Sequence, residues 1–283
     1  MRFINLLPYE EHTPEELFNN IVSNKNSPCK QILYDESSPL CIKPHILKRF
    51  NDYFVHKKSL ENISIFLHSK QQQDCLEGCY NTETVGKKKL IALIKGNLGI
   101  HSTALCCYCG ISRPTTIDHY LPKSVFPEYS VYSYNLIPCC AECNNLKSQD
   151  WIDPVTNNRL FVNFYFDDVP DDIYLFARII SKNNSYLVEY YYNQPNNSEI
   201  YNIINTHLTR LNITTRLEEI ANSHLDSVYH QNQAALYAGT TPDDLKMLLR
   251  LNNQTLERIH GKNFWEVVLN RAILNTNSFF TVE

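Results

Sequence analysis

Six of the ten cysteines in this 283-residue chain fall between Cys106 and Cys143. Two CxxC pairs can be drawn there, Cys106–Cys109 and Cys140–Cys143. Four thiolates in two such knuckles make the tetrahedral sphere that zinc prefers in a closed structural site, which leaves no open position for catalysis. Cys107 and Cys139 are spare thiols that the spacing selects against, since Cys107–Cys109 leaves one residue between and Cys139–Cys143 leaves three. Buried free cysteines are the competing reading, but paired knuckles seldom arise by accident.

Between the knuckles lie 30 residues that contain Asp118-His119 and then Asn135-Leu136, and the second knuckle is followed by Asn144 and Lys147. In this order the sequence resembles the HNH endonucleases of the ββα-metal type, in the zinc-knuckle branch written CxxC…DH…P…NL…CxxC[HN]xxK. Cys106, Cys109, Asp118, His119, Pro122, Asn135, Leu136, Cys140, Cys143, Asn144 and Lys147 carry the resemblance, over about 45 residues. It implies that His119 is the general base, that Asp118 and Asn144 hold a catalytic Mg²⁺ or Mn²⁺, and that Asn135 constrains the loop and orients His119. Lys147 would contact the substrate phosphate from the helix. Many members carry histidine where Asn144 stands, and an amide oxygen is a weaker ligand, so the substitution bears on metal affinity. Products with a 5′-phosphate and a 3′-hydroxyl are what the family usually leaves.

Elementary chemistry agrees with those roles. Phosphodiester hydrolysis needs an activated water and a Lewis acid on the phosphate and leaving oxygen. A histidine with its ordinary pKa of about 6.5 is largely neutral at pH 7 and can accept a proton. Asp118 and Asn144 offer the hard oxygen ligands that Mg²⁺ takes. Adjacent strand residues point to opposite faces, so Asp118 and His119 share a site only where TTID ends and a loop begins. Pro122 is consistent with that break. Zinc would fix the loop base against the following helix, and a structural zinc site contributes roughly 10–16 kcal/mol of folding free energy.

Within the superfamily, DHYLPKS, FPEYS and NLIPCCAECN look closest to PtuB-like proteins, the nuclease subunits of Septu-type and some retron-associated anti-phage systems. That resemblance implies a nucleic-acid substrate, DNA or RNA, and a PtuA-like ATPase partner. Seven glycines, with no GxxxxGK[ST] and no GxGxxG, agree that nucleotide hydrolysis is done elsewhere. Two other readings are open. One is a zinc-stabilised nucleic-acid-binding or scaffold module without catalysis, which would have no need of His119 beside a carboxylate. The other is a stand-alone restriction-type HNH enzyme that recognises its target through the flanks.

The elements that must position these residues are legible in outline. An α+β chain is expected, mostly helical around a central ββα module, with a small β-hairpin and C-terminal helices. Three regions follow: 1–100, helical and partly basic; 101–155, the nuclease module; and 156–283, the hairpin and helices. Thr13-Pro14-Glu15-Glu16 combines an N-cap, a proline at the first helical position and a capping-box glutamate. Stretches 44–57, 59–69 and 83–95 carry apolar residues at helical spacing. IYLFARII (173–180) and SYLVEYYY (185–192) read as strands joined by a turn at Ser181-Lys182-Asn183-Asn184. Helix returns from about 198, and Thr241-Pro242-Asp243-Asp244 marks another start.

A net charge of −4 argues against wholesale coating of nucleic acid, yet residues 43–95 alone carry 10 basic and 5 acidic groups. That basic face either lines a phosphate site or is simply solvated. The apolar run before Pro8 is too short for a signal segment, and no stretch reaches the roughly 18 apolar residues of a membrane span. A cytoplasmic protein with reduced thiols is expected, with no membrane partner. Cys75-x₃-Cys79, Cys29 and Cys41 are then bystander thiols rather than ligands or disulfides.

Overall fold

The computed structural model describes residues 12–96, 105–182 and 185–282. The fold is α+β, largely helical with two small antiparallel sheets. It divides into two compact units, one within Ile4–Tyr108 and Ser112–Asp167, the other within Asp168–Glu283 with Cys109–Ile111.

In the first unit, Thr13 caps α1 (Pro14–Val22) through the expected capping box: its hydroxyl accepts from the Glu16 amide, and the Glu16 carboxylate accepts from the Thr13 amide. The apolar stripe Leu17, Phe18, Ile21 and Val22 is buried. Among the described residues four further helices follow before the first strand: α2 (Ser27–Leu33), α3 (Lys43–Val55), α4 (Lys70–Asn81) and α5 (Val85–Gly96). α5 crosses α1 so closely at Gly86 that a β-carbon there would lie 2.6 Å from the Asn20 carbonyl oxygen, so only glycine permits the approach.

The stretch 59–69 is not the expected helix. Leu60–Asn62 makes a single 3-10 turn, and the chain then runs without regular structure to Ser69. The helix starts only at Ser69, whose hydroxyl and the Gln72 side chain form a second capping box for α4. Before it, the Arg49 guanidinium takes the Ser64 carbonyl at 2.6 Å, a backbone acceptor that a helix would use internally. The thiols are also not all free. Cys29 in α2 and Cys75 in α4 form a disulfide, which corrects the expectation that both are bystanders. Their side chains meet because α2 packs against α4, a proximity that the sequence separation of 46 conceals.

β1 (Thr116–His119) and β2 (Leu136–Cys139) pair antiparallel, from Thr116 opposite Cys139 to His119 opposite Leu136, and α6 (Ala141–Lys147) follows at once. The connection between the strands docks on α3. Tyr129 and Tyr132 donate their hydroxyls to the carbonyls of Arg49 and Phe50, and Tyr53 donates to that of Tyr134. Buried Glu128 accepts from Arg49 Nε at 2.9 Å and lies 3.1 Å from His68 Nε2. Part of the basic segment thus serves internal pairing.

The second unit contains the hairpin β3 (Leu175–Lys182) and β4 (Ser185–Tyr192), in register from Leu175 opposite Tyr192 to Lys182 opposite Ser185. Asn183 and Asn184 of the expected turn lie outside the described residues, as does the apolar run before Pro8. Four α-helices follow among the described residues, α7 (Glu199–Arg210), α8 (Ile213–Tyr237), α9 (Pro242–His260) and α10 (Trp265–Leu274), before a 3-10 turn at Asn277–Phe280. Thr241 caps α9 as the sequence signals, accepting from the Asp244 amide at 3.2 Å. Among the described residues no helix is long and apolar enough to cross a membrane.

Candidate functional site

The four cysteines singled out by their spacing meet. The sulfurs of Cys106, Cys109, Cys140 and Cys143 all lie within 4.8 Å of one another, and all four residues are buried. Tetrahedral zinc with bonds of about 2.3 Å sets its sulfurs roughly 3.8 Å apart, so the donor set and its compactness fit a closed structural metal site. Cys107 and Cys139 are buried but outside this cluster. Cys140 also caps α6, its sulfur accepting from the Cys143 amide at 3.4 Å, and the Ile111 amide donates to Cys109 Sγ at the same distance. Amide-to-sulfur bonds of this kind favour the thiolate form that a metal needs.

From that anchor the chemistry-bearing residues converge on one cleft of about 440 Å³, lined by Tyr80, Asp118, His119, Lys123 and Asn144 among others. Asp118 and His119 are the last two residues of β1, so the strand runs one residue past the expected break after Asp118, and both residues line the cleft at its end. His119 Nε2 lies 2.9 Å from the Ser130 carbonyl oxygen. A carbonyl only accepts, so Nε2 carries the proton and Nδ1 of the neutral ring is the acceptor. Burial drives the His119 pKa down to about 3, against the opposing pull of the Ser130 bond. The imidazole is therefore neutral at pH 7.

Asp118 Oδ2 accepts from the Tyr108 hydroxyl at 2.6 Å and lies 3.0 Å from Lys147 Nζ. Burial raises its carboxyl pKa, while the Lys147 ammonium and the Tyr108 hydroxyl pull the other way. Asn144 stands on α6, half-buried at the edge of the cleft. Asn135 is fully buried, and its side chain hydrogen-bonds to the loop rather than to His119. Its Oδ1 accepts from the Leu121 amide at 2.7 Å, and its Nδ2 donates to the carbonyls of Leu121 and Tyr129. It ties the start of the connecting loop, at Leu121, to Tyr129, the residue before Ser130.

Lys147 departs from its expected place. It is fully buried, with Nζ on Asp118 and on the His119 carbonyl oxygen at 2.9 Å, so it positions the Asp-His pair rather than reaching a phosphate. Lys123 lines the cleft, and Lys87, ion-paired with Glu83, stands beside it across the Tyr80 ring. Lys87 from α5 and Lys123 place their ammonium groups 4.8 and 5.1 Å from the centre of the Tyr80 ring, which itself stands edge-on to the His119 ring at 4.4 Å.

Three partners escaped sequence reasoning: Tyr108, Ser130 and Tyr80. Tyr108 sits inside the first knuckle, CCYC, where its adjacency to a ligand was the available signal. Ser130 acts through its carbonyl, which no side-chain pattern announces. Tyr80 comes from a helix 39 residues before His119 in sequence.

These features define an α+β protein whose ββα element carries a buried four-cysteine cluster able to hold a structural metal. The chain is similar to Protein ea31 of Escherichia phage lambda, at 25% identity over 228 residues, which cover 72% of this chain and 73% of that protein. No protein-family model matches the chain, and no solved structure matches it.

Proposed function

We propose that this chain is a metal-dependent HNH endonuclease that hydrolyses phosphodiester bonds of nucleic acid, with zinc in the four-cysteine cluster. The observation that carries this reading is a single arrangement. A neutral histidine, tethered through Nε2 to Ser130, shares a cleft with Asp118 and Asn144 on a ββα element braced by four cysteines. His119 Nδ1 takes a proton from the attacking water, and the Ser130 carbonyl stabilises the imidazolium that forms. Asp118 and Asn144 would hold Mg²⁺ or Mn²⁺, which supplies Lewis-acid stabilisation of the phosphate and leaving oxygen. Lys147 and Tyr108 hold the Asp118 carboxylate in place. Lys87 and Lys123 attract the substrate backbone to the cleft rim.

The PtuB-like features DHYLPKS, FPEYS and NLIPCCAECN extend the reading to an effector of bacterial anti-phage defence that works with a PtuA-like ATPase. The test is cleavage of plasmid, single-stranded DNA and tRNA in Mg²⁺ or Mn²⁺, with the protein alone and with its operon partner. His119→Ala is run beside it. Cleavage by the wild type alone supports the reading. Equal cleavage by both, or none by either with the partner present, overturns it.

A further inference from the structure

The helix α9 has two apolar faces. Asn253 is buried on one, with Leu245, Leu249 and Leu256 half-buried beside it, and α9 packs against α10. On another face lie Asp244, Leu248, Leu251, Thr255 and Arg258, all exposed. Spacings of four, three, four and three place these five in one stripe along the helix. Leu248 is 58% exposed and Leu251 54%, and Met247 beside them is 51% exposed. A single exposed leucine needs no explanation. Here the apolar residues occupy the middle of the stripe, and Asp244 and Arg258 stand seven residues to either side of Leu251.

That pattern is self-complementary. Across a two-fold axis, residue i of one copy meets residue j of the other, and j meets i. An antiparallel pairing about Leu251 gathers Leu248 and Leu251 of both copies and sets each Asp244 near the Arg258 of the other. A parallel pairing would instead set Asp against Asp and Arg against Arg. The acid at the N-terminus and the base at the C-terminus also suit the dipole of α9 itself, but that accounts for the charges and leaves the exposed leucines unexplained. We infer that α9 is a dimerisation surface, on which the stripe Asp244–Leu248–Leu251–Arg258 pairs antiparallel with the same stripe of a second copy of this chain.

The test is sedimentation of the full chain over a range of concentrations. A concentration-dependent dimer is expected. Arg258→Glu and Asp244→Lys should each weaken it about tenfold, and the two together should restore it, because the pairing is exchanged rather than lost. Leu251→Asp should give a monomer, with unchanged helical circular dichroism showing that the chain remains folded. Three results overturn the inference. These are a wild type that stays monomeric at every concentration, a dimer indifferent to Leu251→Asp, and a double charge exchange that behaves no better than the singles.

Discussion

The imidazole of His119 and the carbonyl of Ser130 are joined at 2.9 Å, and Ser130 is itself held by its hydroxyl, which donates to the Leu76 carbonyl at 2.7 Å. The orientation of the proposed base therefore rests on α4, a helix outside the ββα element. Ser130→Ala removes the hydroxyl and keeps the carbonyl. Stability should fall by about 1 kcal/mol, the net value of one ordinary hydrogen bond. The rate constant kcat should fall more than KM rises, because the ring loses orientation rather than substrate contact. Urea unfolding and steady-state cleavage read the two effects. A rise in KM alone would show that Ser130 does not act through His119.

Lys147 and Asp118 form a buried ion pair that supports the site from behind. Lys147→Met leaves the carboxylate buried and uncompensated, which costs about 3–5 kcal/mol. Adding Asp118→Asn should recover part of that loss, since the second change removes the orphaned charge. The salt dependence of nucleic-acid binding should stay the same in a folded Lys147 variant, and should become shallower in Lys87→Gln or Lys123→Gln. A shallower slope in the Lys147 variant would return that residue to the phosphate.

The sequence exposed the parts whose physics is local. Ligand spacing singled out Cys106, Cys109, Cys140 and Cys143, and the structure brings those four sulfurs together while excluding Cys107 and Cys139. Capping chemistry marked the starts of α1 and α9, and two segments dense in aromatic and β-branched residues marked the β3–β4 hairpin. What stayed hidden depends on which helices meet. The Cys29–Cys75 bond requires α2 to lie on α4, and the Tyr80–His119 contact requires α4 to lie over the strand end. Segment 59–69 misled because its apolar spacing is compatible with a helix, while Arg49, ten residues earlier than the stretch itself begins, captures the Ser64 carbonyl. Lys147 misled for a different reason: its phosphate contact was what the family resemblance implied, and no local pattern announces the buried carboxylate it pairs with.

The four-cysteine cluster predicts a metal dependence that can be separated from catalysis. Cys140→Ser should abolish tightly bound zinc and lower the thermal midpoint, because a structural zinc in this cluster would supply much of the folding free energy of so loop-rich an element. Cys139→Ser removes a buried thiol outside the cluster, so it should keep about one zinc per chain by elemental analysis. Mild chelation that strips Mg²⁺ should stop cleavage while leaving zinc and the fold in place. Zinc lost equally from both serine variants would mean that the ligand set is wrongly drawn.

The Cys29–Cys75 disulfide closes a loop with a sequence separation of 46. Restricting the unfolded chain over that length stabilises the native state by about 4 kcal/mol on loop-closure entropy. Because α4 also carries Leu76 and Tyr80, the crosslink holds the helix that supports Ser130 and covers His119. Cys29→Ser should therefore shift guanidinium unfolding to lower denaturant and also depress cleavage, with zinc content unchanged. Treating the wild type with a monothiol reductant should reproduce the shift. Cys41→Ser, which removes a thiol outside the disulfide, should do neither. If Cys29→Ser lowers stability without touching kcat, the crosslink supports the fold of the first unit but does not govern the position of the base.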